Sequence, residues 1–173
     1  MRENRELKTT DEDPAASERA CRGLGAVDSG LLIQRDTYFA VERGRLKLRE
    51  NLELGTGELI FYLRAREPGV RSSSYWRAPA SDPTALRSVL AAAHGESGVV
   101  TKRRRLFLHH NVRIHLDDVE GLGSFIELES VLEVARQESP DEAKALAEVI
   151  AALGLAGRET IAAGYLELAG LAD

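Results

Sequence analysis

The sequence predicts an α+β fold built around one large antiparallel sheet or barrel, and three observations predict it. Period-two patterning dominates two long stretches, Leu31 to Arg77 and Val99 to Val131. The helix-start signature of Asp followed by Pro interrupts the strand-like segments at Asp13-Pro14 and Asp82-Pro83. Parallel βαβ units would need a helix between nearly all strands, and those helices are missing.

The elements follow in order. Glu3 to Lys8 reads as a short strand with Leu7 between charged neighbours. Asp13-Pro14 opens a helix with an apolar stripe of Ala16, Ala20 and Leu24, stopped at Gly23 or Gly25. Leu31 to Phe39 is a strand, and Gly44 breaks the pattern after it. Arg45 to Arg49 alternates strictly, Gly55-Thr56-Gly57 turns, and Leu59 to Arg66 returns. Pro68-Gly69 marks another turn before a strand from Arg71 to Arg77. Asp82-Pro83 opens a second helix that ends at Gly95. Val99 to Leu108 and Val112 to Val119 are strands joined tightly near His110-Asn111, where Asn tolerates positive φ. Ser124 to Val131 is the last strand. Ser139-Pro140 opens a third helix to about Leu153, and Arg158 to Leu168 reads as a fourth.

Composition bounds the function. The chain has 173 residues, which suits a single domain with its own core. Its one cysteine, Cys21, precludes an internal disulfide and reads as an ordinary small residue of a reducing cytoplasm. No apolar run reaches the ~18 residues of a membrane helix, and the charged start Met1-Arg2-Glu3 is not a secretion signal. A net charge of −5 argues against coating nucleic acid. The expected location is therefore cytoplasmic, with no nucleic-acid or membrane partner. The basic run Lys102-Arg103-Arg104-Arg105 alternates faces on a strand and splits into two inward and two outward residues.

Side chains two apart on a strand share a face, and this collects the charges into stripes. Glu6 with Lys8, Arg45 with Lys47 and Arg49, Tyr62 with Arg64 and Arg66, and Lys102 with Arg104 are four of them. Arg113 with His115 and Asp117, and Glu127 with Glu129, complete the set. The opposite faces carry Leu46 and Leu48, Phe61 and Leu63, Ile114 and Leu116, Ile126 and Leu128. Two arrangements fit this pattern. The charges can face water over an apolar core, as in most half-buried sheets. Alternatively the sheet closes with the charges inside, which requires pairing or a multiply charged ligand. Cations and carboxylates in one cavity suit phosphoryl or nucleotidyl transfer, where Arg and Lys match phosphate and carboxylates hold Mg²⁺ or Mn²⁺. The histidines lack metal-ligand spacing, and His109-His110 read as surface residues beside a hairpin.

From about Arg2 to Tyr165 the sequence resembles the CYTH superfamily, the triphosphate tunnel metalloenzymes, and within it the class IV adenylate cyclase-like subgroup. The residues that carry the resemblance are Glu6-Leu7-Lys8, Gln34 to Phe39, Gly44 to Arg49, Leu59 to Arg64 and Val100 to Arg104. The most specific are Arg113-Ile114-His115-Leu116-Asp117-Asp118-Val119 and Gly121 to Glu129. The resemblance implies one domain over residues 1–173, an eight-stranded antiparallel barrel whose charged face is inside, with helices covering the outside. It implies triphosphate contacts from Lys8, Lys47, Arg49, Arg64, Lys102, Arg104 and Arg113, with Arg45 a weaker candidate near the mouth. Glu6, Asp117, Glu127 and Glu129 would hold Mg²⁺ or Mn²⁺, and Lys8 and Tyr38 would lie near the reacting end. The expected protein is a monomer or homodimer that acts on a triphosphate compound. The expected reaction is hydrolysis of tripolyphosphate or an organic or nucleoside triphosphate, which needs no nucleoside recognition; the alternatives are cyclisation of ATP to cyclic AMP and pyrophosphate, and non-catalytic binding of polyphosphate or a nucleotide. Two segments depart from the pattern. Asn4 stands where the family's Glu-x-Glu-x-Lys opening has its first glutamate, and Glu3 cannot replace it without turning to the other face. The C-terminal Ser-Tyr-x-Asp-Leu-Leu segment survives only as Gly164-Tyr165-Leu166-Glu167-Leu168.

Overall fold

The computed structural model describes residues 2–64, 71–132 and 140–171, with side chains over 5–63, 74–130 and 141–171. Eight strands alternate with helices in the order β1 (Arg2–Thr10), α1 (Pro14–Gly23), β2 (Val27–Phe39), β3 (Arg45–Asn51), β4 (Thr56–Arg64) and β5 (Arg71–Ala80). Then come α2 (Pro83–His94), β6 (Glu96–His109), β7 (Val112–Val119), β8 (Gly123–Leu132), α3 (Pro140–Ala152) and α4 (Tyr165–Leu168). The strands form a closed barrel in the order β1-β5-β4-β3-β2-β6-β7-β8, and every pair is antiparallel. Closure removes the exposed edges that an open sheet would leave.

The helix starts follow from local chemistry. Asp13 and Asp82 each accept a hydrogen bond at 2.9 Å from the backbone N–H three residues on, with proline at the first helical position. Helices α1 and α3 cover β7 and its neighbours through Cys21, Phe107, Ile114, Leu128, Leu146 and Val149. Helix α2 covers Phe39, Leu48 and Ala80. The apolar faces therefore point outward, toward the helices, and the charged faces point into the barrel.

Some boundaries differ from the sequence reading, and others fall outside the described residues. Strand β2 begins at Val27 and pairs with the 14-residue β6 across an irregularity between Asp28 and Leu31. The reading of Leu59 to Arg66 extends past Arg64, and residues 65 and 66 lie outside the described residues. Ser139 lies outside them as well. The expected helix over Arg158 to Leu168 is a single short turn, α4. The chain before it runs along β1 instead: Ile161 N–H donates to the Lys8 carbonyl at 2.8 Å, and Thr9 Oγ1 donates to the Glu159 carbonyl at 2.9 Å. Tertiary hydrogen bonds to a fixed strand outweigh the modest helix propensity of this segment.

Gly44 joins β2 to β3 with φ +73°, and an added Cβ would lie 2.7 Å from the Tyr62 carbonyl oxygen and 2.8 Å from Leu63 and Phe61 side-chain carbons. Gly44→Ala combines a left-handed backbone with backbone overlap. It should lower unfolding stability by about 2–3 kcal/mol, measured as a fall in the urea midpoint at unchanged m-value.

Candidate active site in the barrel lumen

Alternation carries side chains from every strand into one cavity of about 460 Å³. Lys8 and Glu6 come from β1, Gln34, Asp36 and Tyr38 from β2, Lys47 and Arg49 from β3, and Lys102 and Arg104 from β6. Arg113 and His115 come from β7, and Glu127 and Glu129 from β8. Register fixes the neighbours. Asp36 faces Arg49, Tyr38 faces Lys47, His115 faces Glu127, Arg113 faces Glu129, and Lys8 and Glu6 face Glu127 and Glu129.

Two ionic clusters organise the lumen. Asp36, 1% exposed, accepts from Lys47 Nζ at 2.9 Å, Lys102 Nζ at 2.8 Å, and both Nε and Nη2 of Arg49 at 2.8 and 2.9 Å. Burial alone would raise this carboxyl. Arg49, Lys102 and Lys47 override it and hold the group well below the usual carboxylate range. Burial pushes Lys102 down to about 7, against the pull of Asp36, and Lys47 down to about 8, reinforced by Arg49. In the second cluster Arg104 donates to Asp117 at 2.6 and 2.5 Å and to Glu127 at 2.8 Å. Tyr165 adds a hydroxyl bond to Asp117 at 2.8 Å. Burial opposes ionisation of Glu127 too, yet the adjacent His115, Arg104 and Lys8 hold its carboxyl well below normal.

One end of the lumen is dry. Val100, Val119, Phe125 and Tyr38 form an apolar layer that Tyr165 and Leu166 cover from the C-terminal segment. Lys8 Nζ donates to the Ala163 carbonyl at 2.8 Å and lies 4.2 Å from the centre of the Tyr165 ring. Outside this layer Arg45 is paired with Glu167 at 2.8 Å and does not line the cavity. Toward the other end the lining turns apolar again, with Leu32, Leu106, Leu108, Ile60 and Tyr75 beside the paired Arg77 and Glu58.

The structure brings together most of the residues that the sequence offered. Lys8, Tyr38, Lys47, Arg49, Lys102, Arg104, Arg113, Glu6, Glu127 and Glu129 all line the cavity. The side chains of Arg64 and Asn4 lie outside the described residues. Asp117 is buried behind the lining, engaged with Arg104 and Tyr165. Inside the lumen, the described residues whose ligand atoms fall within 4.8 Å of one another are His115, Glu127 and Glu129. His115 Nδ1 is buried and makes no hydrogen bond of good geometry, although Glu127 Oε2 is 3.5 Å away. An imidazole nitrogen held ready beside two carboxylates fits a divalent cation. Sequence reasoning missed Asp36, Glu58 and Arg77 as lumen residues. For Asp36 the signal was present, since it alternates in phase with Gln34 and Tyr38.

A closed antiparallel barrel with an ionic, two-signed interior is the architecture of this chain. This chain belongs to the CYTH domain family, whose profile matches residues 2–165. It is 25% identical over 173 residues to a Methanocaldococcus jannaschii protein provisionally named an adenylate cyclase, across 96% of this chain and 98% of that one. Among solved structures it is similar to the PH1012 protein of Pyrococcus horikoshii, at 26% identity and TM-score 0.80 over 95% of this chain and 98% of that one. The Hippeastrum protein HpAC1, provisionally an adenylyl cyclase and described as having a dominant triphosphatase activity, shares the fold at TM-score 0.69 and 16% identity. The match covers 98% of this chain and 96% of HpAC1.

The depressed lysines make anion binding pH-dependent. With pKa values of about 7 and about 8, Lys102 and Lys47 are largely or partly neutral at pH 8. A bound polyanion favours their charged forms, so binding takes up protons and is stronger at low pH. Calorimetry with tripolyphosphate in two buffers of different ionisation enthalpy should show uptake of about one proton at pH 8. Affinity should fall from pH 7 to pH 9. Lys102→Arg, which does not titrate, should flatten that fall; an equally steep fall in the variant would count against Lys102.

Proposed function

We propose that the protein is a metal-dependent hydrolase of an organic triphosphate, which it binds inside the barrel. The observation that carries this reading is the Asp36 cluster facing the His115, Glu127 and Glu129 group across one cavity. A triphosphate brings roughly four negative charges, and Arg forks and Lys point charges are the groups that match them. Among the described residues the cavity lining holds seven Lys and Arg side chains against five carboxylates. That excess leaves room for a divalent cation to complete the neutralisation.

Each side chain has a definable task. Lys47, Arg49 and Lys102 are held in place by Asp36 and can turn toward phosphate oxygens from there. Lys8 from β1, Arg104 from β6 and Arg113 from β7 supply further charges, with Arg64 a contact proposed from the sequence alone. His115, Glu127 and Glu129, with Glu6 beside them in register, would hold the metal. When bound, Mg²⁺ or Mn²⁺ would screen phosphate charge and lower the pKa of a coordinated water. The imidazole among the ligands favours Mn²⁺ over Mg²⁺. Burial keeps the Tyr38 hydroxyl protonated far above its usual pKa, so it serves as a hydrogen-bond donor near the reacting phosphate and not as a nucleophile. The apolar residues Leu32, Leu106 and Leu108 give an organic body something to lie against, which inorganic tripolyphosphate would not use. That observation also favours the second reading, an adenylate cyclase, because a nucleoside fits the same wall.

A turnover assay separates the readings. With Mg²⁺ or Mn²⁺, phosphate release from an organic triphosphate without cyclic AMP supports hydrolysis; cyclic AMP with pyrophosphate from ATP supports the cyclase. Lys47→Ala and Arg49→Ala should each lower turnover at least about 100-fold, as expected when a buried charge contact to the transferring group is lost. Arg103→Ala, an exposed change on the outer face of β6, should leave turnover within about twofold. Equal losses from both faces would overturn the lumen assignment.

A further inference from the structure

A second cluster of metal-ligating side chains lies outside the barrel, where the β6–β7 hairpin meets α3. His109 is the last residue of β6, His110 is in the turn, and Glu148 is on α3. One nitrogen from each imidazole and one Glu148 oxygen all lie within 4.8 Å of one another. His109 Nε2 is 3.2 Å from Glu148 Oε2. A tetrahedral metal at 2.0–2.1 Å from its ligands sets neighbouring ligand atoms about 3.3 Å apart. That pair already has the required spacing, and His110 needs only a small side-chain rotation to join it.

Two further observations set this cluster apart from an incidental surface pair. The first is the backbone at His110. Its φ is +51°, the only positive value at a non-glycine residue among those described. Glycine would occupy such a turn at lower cost, and histidine is among the few side chains that adopt it. The second is rigidity. Phe107, two residues before His109 on the same face of β6, and Val149, next to Glu148, are both fully buried in one core cluster. The two supports of the site are therefore fixed to each other. The Glu148 carboxylate is also divided. Oε1 faces Lys144 Nζ at 3.8 Å, which leaves Oε2 directed at the imidazoles. Lys144 is exposed, so its charge is well screened and opposes a cation only weakly.

We propose that His109, His110 and Glu148 form a second metal site, for Zn²⁺ or a similar first-row cation, that ties the β6–β7 hairpin to α3. Two imidazoles and one carboxylate, with water as fourth ligand, is a donor set that suits zinc, copper or nickel and not magnesium. The site is thus chemically distinct from the lumen cluster, where carboxylates outnumber the imidazole. Its role is structural: a bound ion joins a barrel hairpin to the helix that covers it, and that hairpin's strands carry Lys102, Arg104, Arg113 and His115.

The test uses the full chain without an affinity tag, titrated with ZnCl₂ and followed by thermal melting and by ¹⁵N shifts of the histidine rings. A Glu127→Gln, Glu129→Gln double variant removes the two lumen carboxylates that stand with His115, which weakens zinc uptake there. In that background zinc should raise the Tm and shift the ring nitrogens of His109 and His110. Glu148→Gln and His110→Gly should each weaken zinc binding at least tenfold. His110→Gly should fold at least as stably as its parent without metal, because the strained φ is relieved. If His110→Gly and Glu148→Gln bind zinc as tightly as their parent, or the two rings do not shift, there is no site at the hairpin. Neither result bears on the lumen, because His109, His110 and Glu148 are none of its lining residues and the ring shifts are read at His109 and His110 alone.

Discussion

Asp36 accepts hydrogen bonds from Lys47, Arg49 and Lys102 while almost wholly removed from water, and the charged interior of the barrel depends on that arrangement. Three cations so close would repel one another, and each would suffer desolvation without return. The carboxylate reverses both terms. It also fixes where the cations point, because Arg49 binds it through two nitrogens. Removing one partner from such a group leaves an unpaired buried charge, a change worth about 3–5 kcal/mol. The barrel can therefore hold Lys47, Arg49 and Lys102 together in its interior only by also placing Asp36 there.

The second cluster obeys the same constraint with the signs exchanged. Arg104 lies between Asp117 and Glu127, so two carboxylates share one guanidinium. This engages Asp117 as a partner of Arg104 and leaves His115, Glu127 and Glu129 as the close-set ligand group. Tyr165 links this cluster to the C-terminal segment through its bond to Asp117. A segment that would otherwise coil as helix is thus committed to an extended path along β1, because its carbonyls serve Lys8 and Thr9.

Much of the fold was legible in the sequence because strand alternation and the Asp-Pro caps are local signals. The strand from Val112 to Val119 matches its expected limits residue for residue. The direction of the charged faces was not legible from periodicity, since a solvated face and an enclosed lumen give the same alternation. The resemblance to a known family resolved that, and the paired buried charges show the physical means. Asp36 was hidden for a related reason. Its neighbours in sequence are Arg35 and Thr37, while its three partners come from β3 and β6, 11 to 66 residues away. The failed fourth helix has a similar origin, because Ile161 answers to a carbonyl on β1. Long-range hydrogen bonds leave no periodic trace.

The apolar layers at the two ends of the lumen give it a direction. At one end Val100, Val119 and Phe125 are buried under Tyr165 and Leu166, so water is excluded and the nearby charges interact strongly. That dryness is what depresses Lys102 and Lys47. At the other end Leu32, Leu106 and Leu108 also point inward, but Leu108 is 37% exposed. No partner in the described structure covers that leucine, and an apolar surface facing a cavity gains most from a ligand that covers it. On the proposed reading a triphosphate lies lengthwise, its phosphates among the ionic clusters and its organic body against the leucines. A ligand in that orientation matches charge where the lumen is charged and apolar surface where it is apolar. The reverse orientation would set phosphates against leucine and leave the cations with Asp36 alone.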